Sequence, residues 1–287
     1  ALFGSRRGAT TARGLMASVT WTGTLRSTHY WDCNGQGCDA TLLQPWKTSR
    51  YSSPAGYQPQ DPADFGGPSQ YGERLWMSGA ASDALSELLG KDDGCCGRDW
   101  SEDGRLLGGC GRCVLVRNPT AVNSDWRAIV MKKNRCPPTS NMCKVPHLDI
   151  AVPGFDHFDY SEANVCGMES RATTGGWSVQ PTKRDESHAS YALGDWYRRH
   201  SSTAAAAGEC DALPEDFRRG CRLFAAWGWR EGDPYLDYKP VACPAAMVAH
   251  YSNLFGRSGP INHARPPPPR LPRPPPPSPP PPPRPSP

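Results

Sequence analysis

Twelve cysteines, all lying between Cys33 and Cys243, constrain this 287-residue chain more than any other feature. In a reducing compartment so high a count calls for metal sites, whereas in an oxidising one an even number of cysteines reads as disulfides stapling a loop-rich fold. Cys110-Gly-Arg-Cys113 has the C-x-x-C spacing of a zinc or redox site. No second C-x-x-C and no paired histidines complete a tetrahedral set, so the disulfide reading is preferred to a metal site. That reading predicts a secreted, extracellular protein. No apolar run approaches the roughly eighteen residues of a membrane span, so no membrane partner is expected, and no signal peptide is visible.

The chain divides by composition. Residues 1–26 are rich in Arg, Ser, Thr and Ala and free of acid, and are expected to be a disordered N-terminal segment or the remnant of a leader. Residues 27–258 are expected to form one globular unit. Residues 259–287 are a Pro-rich linker or stalk: from Pro266 onward proline is interrupted only by Arg, Leu and Ser, which enforces polyproline II. Fully extended at ~3.1 Å per residue, that run is a rod of roughly 70 Å. The net charge of +4 looks basic, yet no acidic residue precedes Asp32 or follows Asp237. Setting aside the nine arginines of the two ends leaves 23 basic residues against 28 acidic ones. A mildly acidic middle argues against nucleic acid as a partner, because a phosphate-binding surface needs its basic residues on the folded part.

Short apolar runs separated by Gly, Pro, Asn and Asp have strand length: 114–116, 128–131, 148–152 and 238–241. Three segments read as helices. Ser82 can cap 83–89, with Gly90 ending it. Pro214 opens a short turn in which Glu215 and Asp216 come early and Arg218 and Arg219 late, with Gly220 stopping it. Pro244 starts a third that runs toward Leu254. Residues 168–208 lack periodicity and read as a long surface insertion. No internal repeat, no Gly-rich phosphate loop and no G-x-S-x-G motif is present.

Two stretches carry chemistry. Ser27-Thr-His-Tyr-Trp-Asp-Cys33 and Pro146-His-Leu-Asp-Ile-Ala-Val-Pro-Gly154 each place one aspartate in an aromatic or apolar setting beside a pinned or glycine-bearing turn. Two carboxylates with different proton affinities facing one cleft are the minimum equipment for cutting a glycosidic bond.

With Glu209-Cys-Asp-Ala-Leu-Pro214, Gly220-Cys221 and Val241-Ala-Cys-Pro244, these motifs resemble, in order and spacing, the endoglucanases of glycoside hydrolase family 45, from about Ser27 to Leu254. The resemblance implies a mainly β fold, a six-stranded double-psi β-barrel with long disulfide-pinned loops, and inverting hydrolysis of internal β-1,4-glucosidic bonds in cellulose or related β-glucans. It implies Asp149 as general acid and Asp32 as general base, with His147 beside the acid and Tyr30 as an active-site tyrosine binding substrate. The acid must keep its proton, which suits an Asp149 desolvated among Leu148, Ile150 and Val152, while Asp32 must stay open to water. Inversion leaves about 6.5 to 9.5 Å between the carboxyl groups for that water. Each aspartate also has a plain structural alternative, Asp32 as a turn or cap residue and Asp149 as a buried acceptor. Tyr30 and Trp31 are candidates for core packing as well, and some of Trp76, Trp126, Trp177, Trp196, Trp227 and Trp229 are expected to line a groove by stacking on sugar rings.

The same resemblance implies disulfides Cys33–Cys166, Cys38–Cys110, Cys113–Cys243 and Cys210–Cys221, leaving Cys95, Cys96, Cys136 and Cys143 with three pairings open, among which Cys136–Cys143 suits a local loop. The chain departs from the family at Asn34, where members often have Cys, and at Ala40, where they often have Trp. A third aspartate seven residues before the acid falls here at Met142, so an assisting carboxylate is absent or comes from elsewhere, for example Asp156 or Asp159. The expected partner is a β-glucan, the chain is expected to be a monomer, and the mechanism requires no metal or organic cofactor. Three rivals remain: a non-hydrolytic, expansin-like wall-loosening protein, which shares the His-x-Asp motif but lacks the Tyr-Trp-Asp base; a structural wall glycoprotein, suggested by the Pro-rich end alone; and a carbohydrate-binding module without catalysis.

Overall fold

The computed structural model describes residues 19–30, 38, 55–66, 69–93, 98–99, 101, 104–136, 138, 141–152, 209–212, 215–230 and 233–254. Six strands are formed: β1 (Gly23–Tyr30), β2 (Leu75–Ser82), β3 (Cys113–Arg117), β4 (Arg127–Cys136), β5 (His147–Ala151) and β6 (Tyr235–Val241). They close into a ring in the order β1-β5-β2-β4-β3-β6. The β1–β5 and β2–β4 pairs are parallel and the other four antiparallel. The protein is thus mainly β among the described residues. β3, β4 and β6 contain three of the apolar runs, and β5 holds all of 148–152 but its last residue. β1 begins at Gly23, inside the stretch expected to be disordered, and Thr22 N–H donates to Tyr238 C=O at 2.9 Å, so the folded unit starts before residue 27.

Alternation along each strand decides which side chains meet. Cys113 and Met131 are opposite one another, and Cys113 Sγ lies 3.9 Å from Met247 Sδ of α3 (Ala245–Leu254), so this face is covered by that helix. The opposite face carries Val114, Val116 and Val130, together with Leu148, Ile150, Leu25 and Leu236, and is enclosed by the ring. Gly79 is required there. A Cβ at that position would lie 2.6 Å from the Asp149 carbonyl oxygen and 3.1 Å from Val130 Cγ1.

One irregularity matters for the site. Gly79 pairs with Lys132 but Ala80 pairs with Asn134, so Lys133 is an extra residue in β4. Such a bulge reverses the alternation beyond it. Asn134 therefore shares the outer face with Ala80 and, across β2, with Asp149.

Helix α1 (Asp83–Leu89) starts as expected: Ser82 Oγ accepts from Leu85 N–H at 3.2 Å, and Gly90 ends it at φ 83°. α3 also follows Pro244 as expected. The middle helix does not stop at Gly220, however: α2 runs Glu215–Trp227. Gly220 sits inside it because Gln58 packs against that point, where a Cβ would come 2.4 Å from Gln58 Oε1. Its N–H donates to the same oxygen at 3.0 Å.

Disulfides join Cys38–Cys110, Cys113–Cys243, Cys136–Cys143 and Cys210–Cys221. Three are the pairs that the family resemblance implies, and Cys136–Cys143 resolves one open pairing. Cys33, Cys166, Cys95, Cys96 and the insertion at 168–208 lie outside the described residues, as does the Pro-rich run. No helix among the described residues is long and apolar enough to cross a membrane.

Candidate functional site

The parallel pairing of β1 with β5 brings the two sequence motifs together. In register, Arg26 faces His147, Thr28 faces Asp149 and Tyr30 faces Ala151, all on the outer face of the ring. Asp149 is half-buried with its Oδ1 enclosed. Its desolvation does not come from its chain neighbours as expected, because Leu148 and Ile150 point to the opposite face. The outer-face groups around it are Thr28, Ala80 and Tyr30.

Tyr30 reaches over this surface. Its hydroxyl lies 3.0 Å from the Tyr57 hydroxyl and accepts from Asn134 Nδ2 at 3.3 Å. The Asn134 amide is oriented by its other end, since Oδ1 accepts from Arg135 N–H at 2.8 Å. Burial first, then the Tyr57 hydroxyl and the Asp149 charge, push the Tyr30 phenol well above the ordinary phenol range, while Asn134 works the other way. Tyr30 is therefore a neutral proton donor at any physiological pH.

His147 is fully enclosed. Its Nε2 is 2.9 Å from Thr28 Oγ1, and its backbone N–H donates to Ser82 Oγ at 3.1 Å. Burial, reinforced by the Arg26 charge, lowers its pKa to about 4. A neutral, buried imidazole holds β5 to β1 and has no surface to offer a ligand. Arg26 in turn pairs with Asp233 at 3.0 Å.

Asp32 and Trp31 lie outside the described residues, as do Asp156, Asp159, Trp177 and Trp196. Of the six tryptophans among which groove-lining ones were expected, Trp76, Trp227 and Trp229 are core residues, at most 1 % exposed. Trp227 and Trp229 pack edge-on at 5.6 Å between ring centres, and Phe224 tilts against Trp229 at 5.0 Å. Trp126 is partly buried, with the Arg74 guanidinium over its ring at 6.0 Å.

Tyr57 and Asn134 were not singled out by the sequence. Tyr57 sits in an aperiodic Pro- and Gly-bearing stretch, and Asn134 lies in a run of four polar residues, 132–135, whose facing depends on the bulge. Among the described residues, two clusters have the proximity of metal ligands, Cys136 with Cys143 and His147, and Cys38 with Asp99 and Cys110. In each, the cysteine sulfurs are bonded to one another, so the thiolates a zinc set needs are missing.

No known protein-family profile matches the chain, and no curated protein matches it. Among solved structures, a cellulase from the Antarctic springtail Cryptopygus antarcticus is similar at 18 % identity, covering 81 % of this chain and 96 % of that one, with a TM-score of 0.39. A likeness that loose leaves fold and activity to be argued from the residues themselves.

Proposed function

We propose that the chain is a secreted endo-β-1,4-glucanase that hydrolyses internal bonds of cellulose or a related β-glucan with inversion. The observation that carries this reading is the meeting of Tyr30 and Asp149 on one outer face, a half-buried carboxyl beside a neutral phenol. Asp149 donates its proton to the leaving glycosidic oxygen, and partial burial favours the protonated form such a donor needs. Asp32 is two residues beyond the end of β1, a chain reach of about 7 Å from Tyr30. It serves as the base that activates water on the opposite side of the sugar. Tyr30 binds the sugar beside the acid, and His147, one pair along the same face, fixes Thr28 and the register of β1 on β5. The ring, with its two parallel and four antiparallel pairings, is proposed to be the double-psi barrel. The four disulfides are consistent with export to an oxidising compartment. The substrate is a polysaccharide, and a single chain suffices.

The test is Asp149→Asn assayed on a soluble β-1,4-glucan, with thermal melting to confirm the fold. Turnover should fall by roughly 10²- to 10⁴-fold, the size of a lost general acid. Unchanged turnover refutes the assignment. Binding of the glucan by the unaltered protein without any cleavage would favour a non-hydrolytic role instead.

A further inference from the structure

Trp126, one of the tryptophans singled out in the sequence, lies just before β4, at the opposite end of that strand from Asn134. Arginines surround it. Arg127 pairs with Arg117 across β4 and β3, two residues along from the Leu115–Ile129 pair, and so lies on the outer face by alternation. Arg74, just before β2, donates its backbone N–H to the Arg127 carbonyl oxygen at 2.8 Å, which extends the row to a third strand. Adjacent strands are ~4.8 Å apart, so the row spans about 10 Å. Helix α3 covers this face at Cys113 and leaves the arginine end open, with Arg74 exposed and Arg127 half-buried.

Two indoles border the row. The Arg74 guanidinium lies over Trp126 at 6.0 Å from the ring centre, and that of Arg117 over Trp21 at 5.3 Å. A guanidinium stacked by its face keeps its in-plane N–H donors free, and stacking restricts a long side chain before any ligand arrives. The three charges are used unequally. Arg117 is paired with Asp237, whose Oδ2 accepts from its Nε at 2.9 Å. Arg127 gives one N–H to the Tyr71 carbonyl oxygen at 2.9 Å. Among the described residues, neither Arg74 nor Arg127 belongs to an ion pair. The acids next to them in the chain are not their partners. Glu73 is buried and accepts from Ser69 Oγ, Tyr71 N–H and Trp76 Nε1, and the exposed Asp125 joins no ion pair among the described residues either.

We infer that Arg74 and Arg127, with Trp126 beside them, form a surface site for a carboxylated polysaccharide. A two-oxygen anion matches the guanidinium fork, and an indole suits the apolar face of a sugar ring. Nucleic acid fits poorly: a duplex presents one charge per about 1.7 Å, against two unpaired cations on a mildly acidic domain. A polymer with one carboxylate per sugar has the sparser charge that this row meets. Arg74 is six residues before Ala80, the partner of Asp149, or about 20 Å along the strand. The site is therefore separate from the Asp149 surface, and the inference does not rest on the glucanase reading.

The experiment is affinity electrophoresis of the full chain through gels containing polygalacturonate, a neutral soluble β-1,4-glucan or a single-stranded oligothymidylate. The variants are R74Q/R127Q and, because the Pro-rich run is also cationic, R270Q/R273Q, which removes the same charge from that run. Polygalacturonate should retard the unaltered protein, and added salt should weaken the retardation. R74Q/R127Q should bind it at least about tenfold more weakly, the size of one lost charge-assisted contact, while R270Q/R273Q changes binding less than about twofold. Hydrolysis of the neutral glucan, where present, should be the same in R74Q/R127Q as in the unaltered protein. No retardation by polygalacturonate, equal losses in the two double variants, or tighter binding of the oligothymidylate overturns the inference. Should R74Q/R127Q melt early, R74Q alone decides, since that side chain makes no hydrogen bond among the described residues: it must weaken polygalacturonate binding by at least about threefold. A protein that cleaves no glucan but is retarded in this pattern loses the glucanase reading and keeps this one.

Discussion

Thr28 and His147, 119 residues apart in the chain, meet with Oγ1 and Nε2 2.9 Å apart on the same outer face that carries Asp149. The contact works as a register pin. A one-residue slip of β5 against β1 would turn Asp149 to the apolar face and Leu148 to the outer one. Arg26 stacks the arrangement from the next pair along, facing His147 and held by Asp233. The carboxyl and the phenol of the proposed site are thus aligned by buried polar contacts on the same face of the two strands.

Because the pin is a buried imidazole, stability should depend on acid. The pKa of His147 is lowered from 6.5 to about 4, burial being the main cause. Between those values the unfolded chain binds a proton that the folded chain refuses, so stability falls as pH drops from about 6.5 to about 4 and is unaffected above that window. The full shift corresponds to about 3 kcal/mol. Urea denaturation at pH 7, 5 and 4 should show this loss, and a His147→Gln variant should show a flatter profile over the same range. Parallel profiles for the two proteins would rule out His147 as the source.

Ser82 joins three elements through one hydroxyl. It ends β2, accepts from Leu85 N–H to cap α1, and accepts from His147 N–H at the start of β5. Ser82→Ala should therefore cost more than an ordinary lost cap of about 1 kcal/mol, in the region of 2 kcal/mol, because a second buried N–H is orphaned. The midpoint of chemical denaturation measures this. A loss below about 0.5 kcal/mol would mean that water replaces both bonds.

Local signals were legible and remote ones were not. The α1 boundaries follow from Ser82 and Gly90, which act on their own neighbours. β3, β4 and β5 follow from apolar runs, and the two motifs that single out Tyr30 and Asp149 lie on strands that pair in parallel. β2 is a different case: its residues Leu75-Trp-Met-Ser-Gly-Ala-Ala-Ser82 include no β-branched side chain, and it is a strand because it is paired on both sides. The facing of Asn134 depends on the extra residue Lys133 in β4, which no alternation pattern reveals. Which tryptophans belong to the core was not legible, because an aromatic fits a groove and a core equally well. Here Trp76, Trp227 and Trp229 are enclosed in the core that packs β2, α2 and the segment after it.

Lys132 and Asp99 form an ion pair at 2.8 Å with side chains 0 % and 4 % exposed. Burial lowers the Lys132 pKa, and the Asp99 charge opposes that shift. Its ammonium also donates to Ser86 Oγ at 2.7 Å and to the Gly108 carbonyl oxygen at 2.8 Å. Removing one partner leaves a buried charge uncompensated, so Lys132→Met should cost about 3 to 5 kcal/mol. Removing both with Lys132→Met and Asp99→Asn should recover a large part of that. Equal losses in the single and double variants, by denaturant midpoint, would show that the neutral contacts of Lys132 matter more than the charge.

Gly220 reverses an ordinary rule. In an exposed helix interior, Gly→Ala gains roughly 1 kcal/mol of helix propensity. In α2 the added methyl would lie 2.4 Å from Gln58 Oε1 and 2.6 Å from Gln58 Cβ and Cγ, and a Cβ tied to the backbone cannot swing clear as a chain tip can. Displacing Gln58 also breaks its bond from Gly220 N–H and its contact with the Asp216 carbonyl oxygen. Gly220→Ala should destabilise by about 1 to 3 kcal/mol, the usual range for overpacking, despite the propensity gain. Shortening the partner as well, in Gln58→Ala with Gly220→Ala, removes the clash, so the alanine at 220 should become neutral or favourable in that background. Melting temperatures of the two single variants and the pair test this directly: a stabilising Gly220→Ala in the unaltered background would mean that α2 shifts away from Gln58 at little cost.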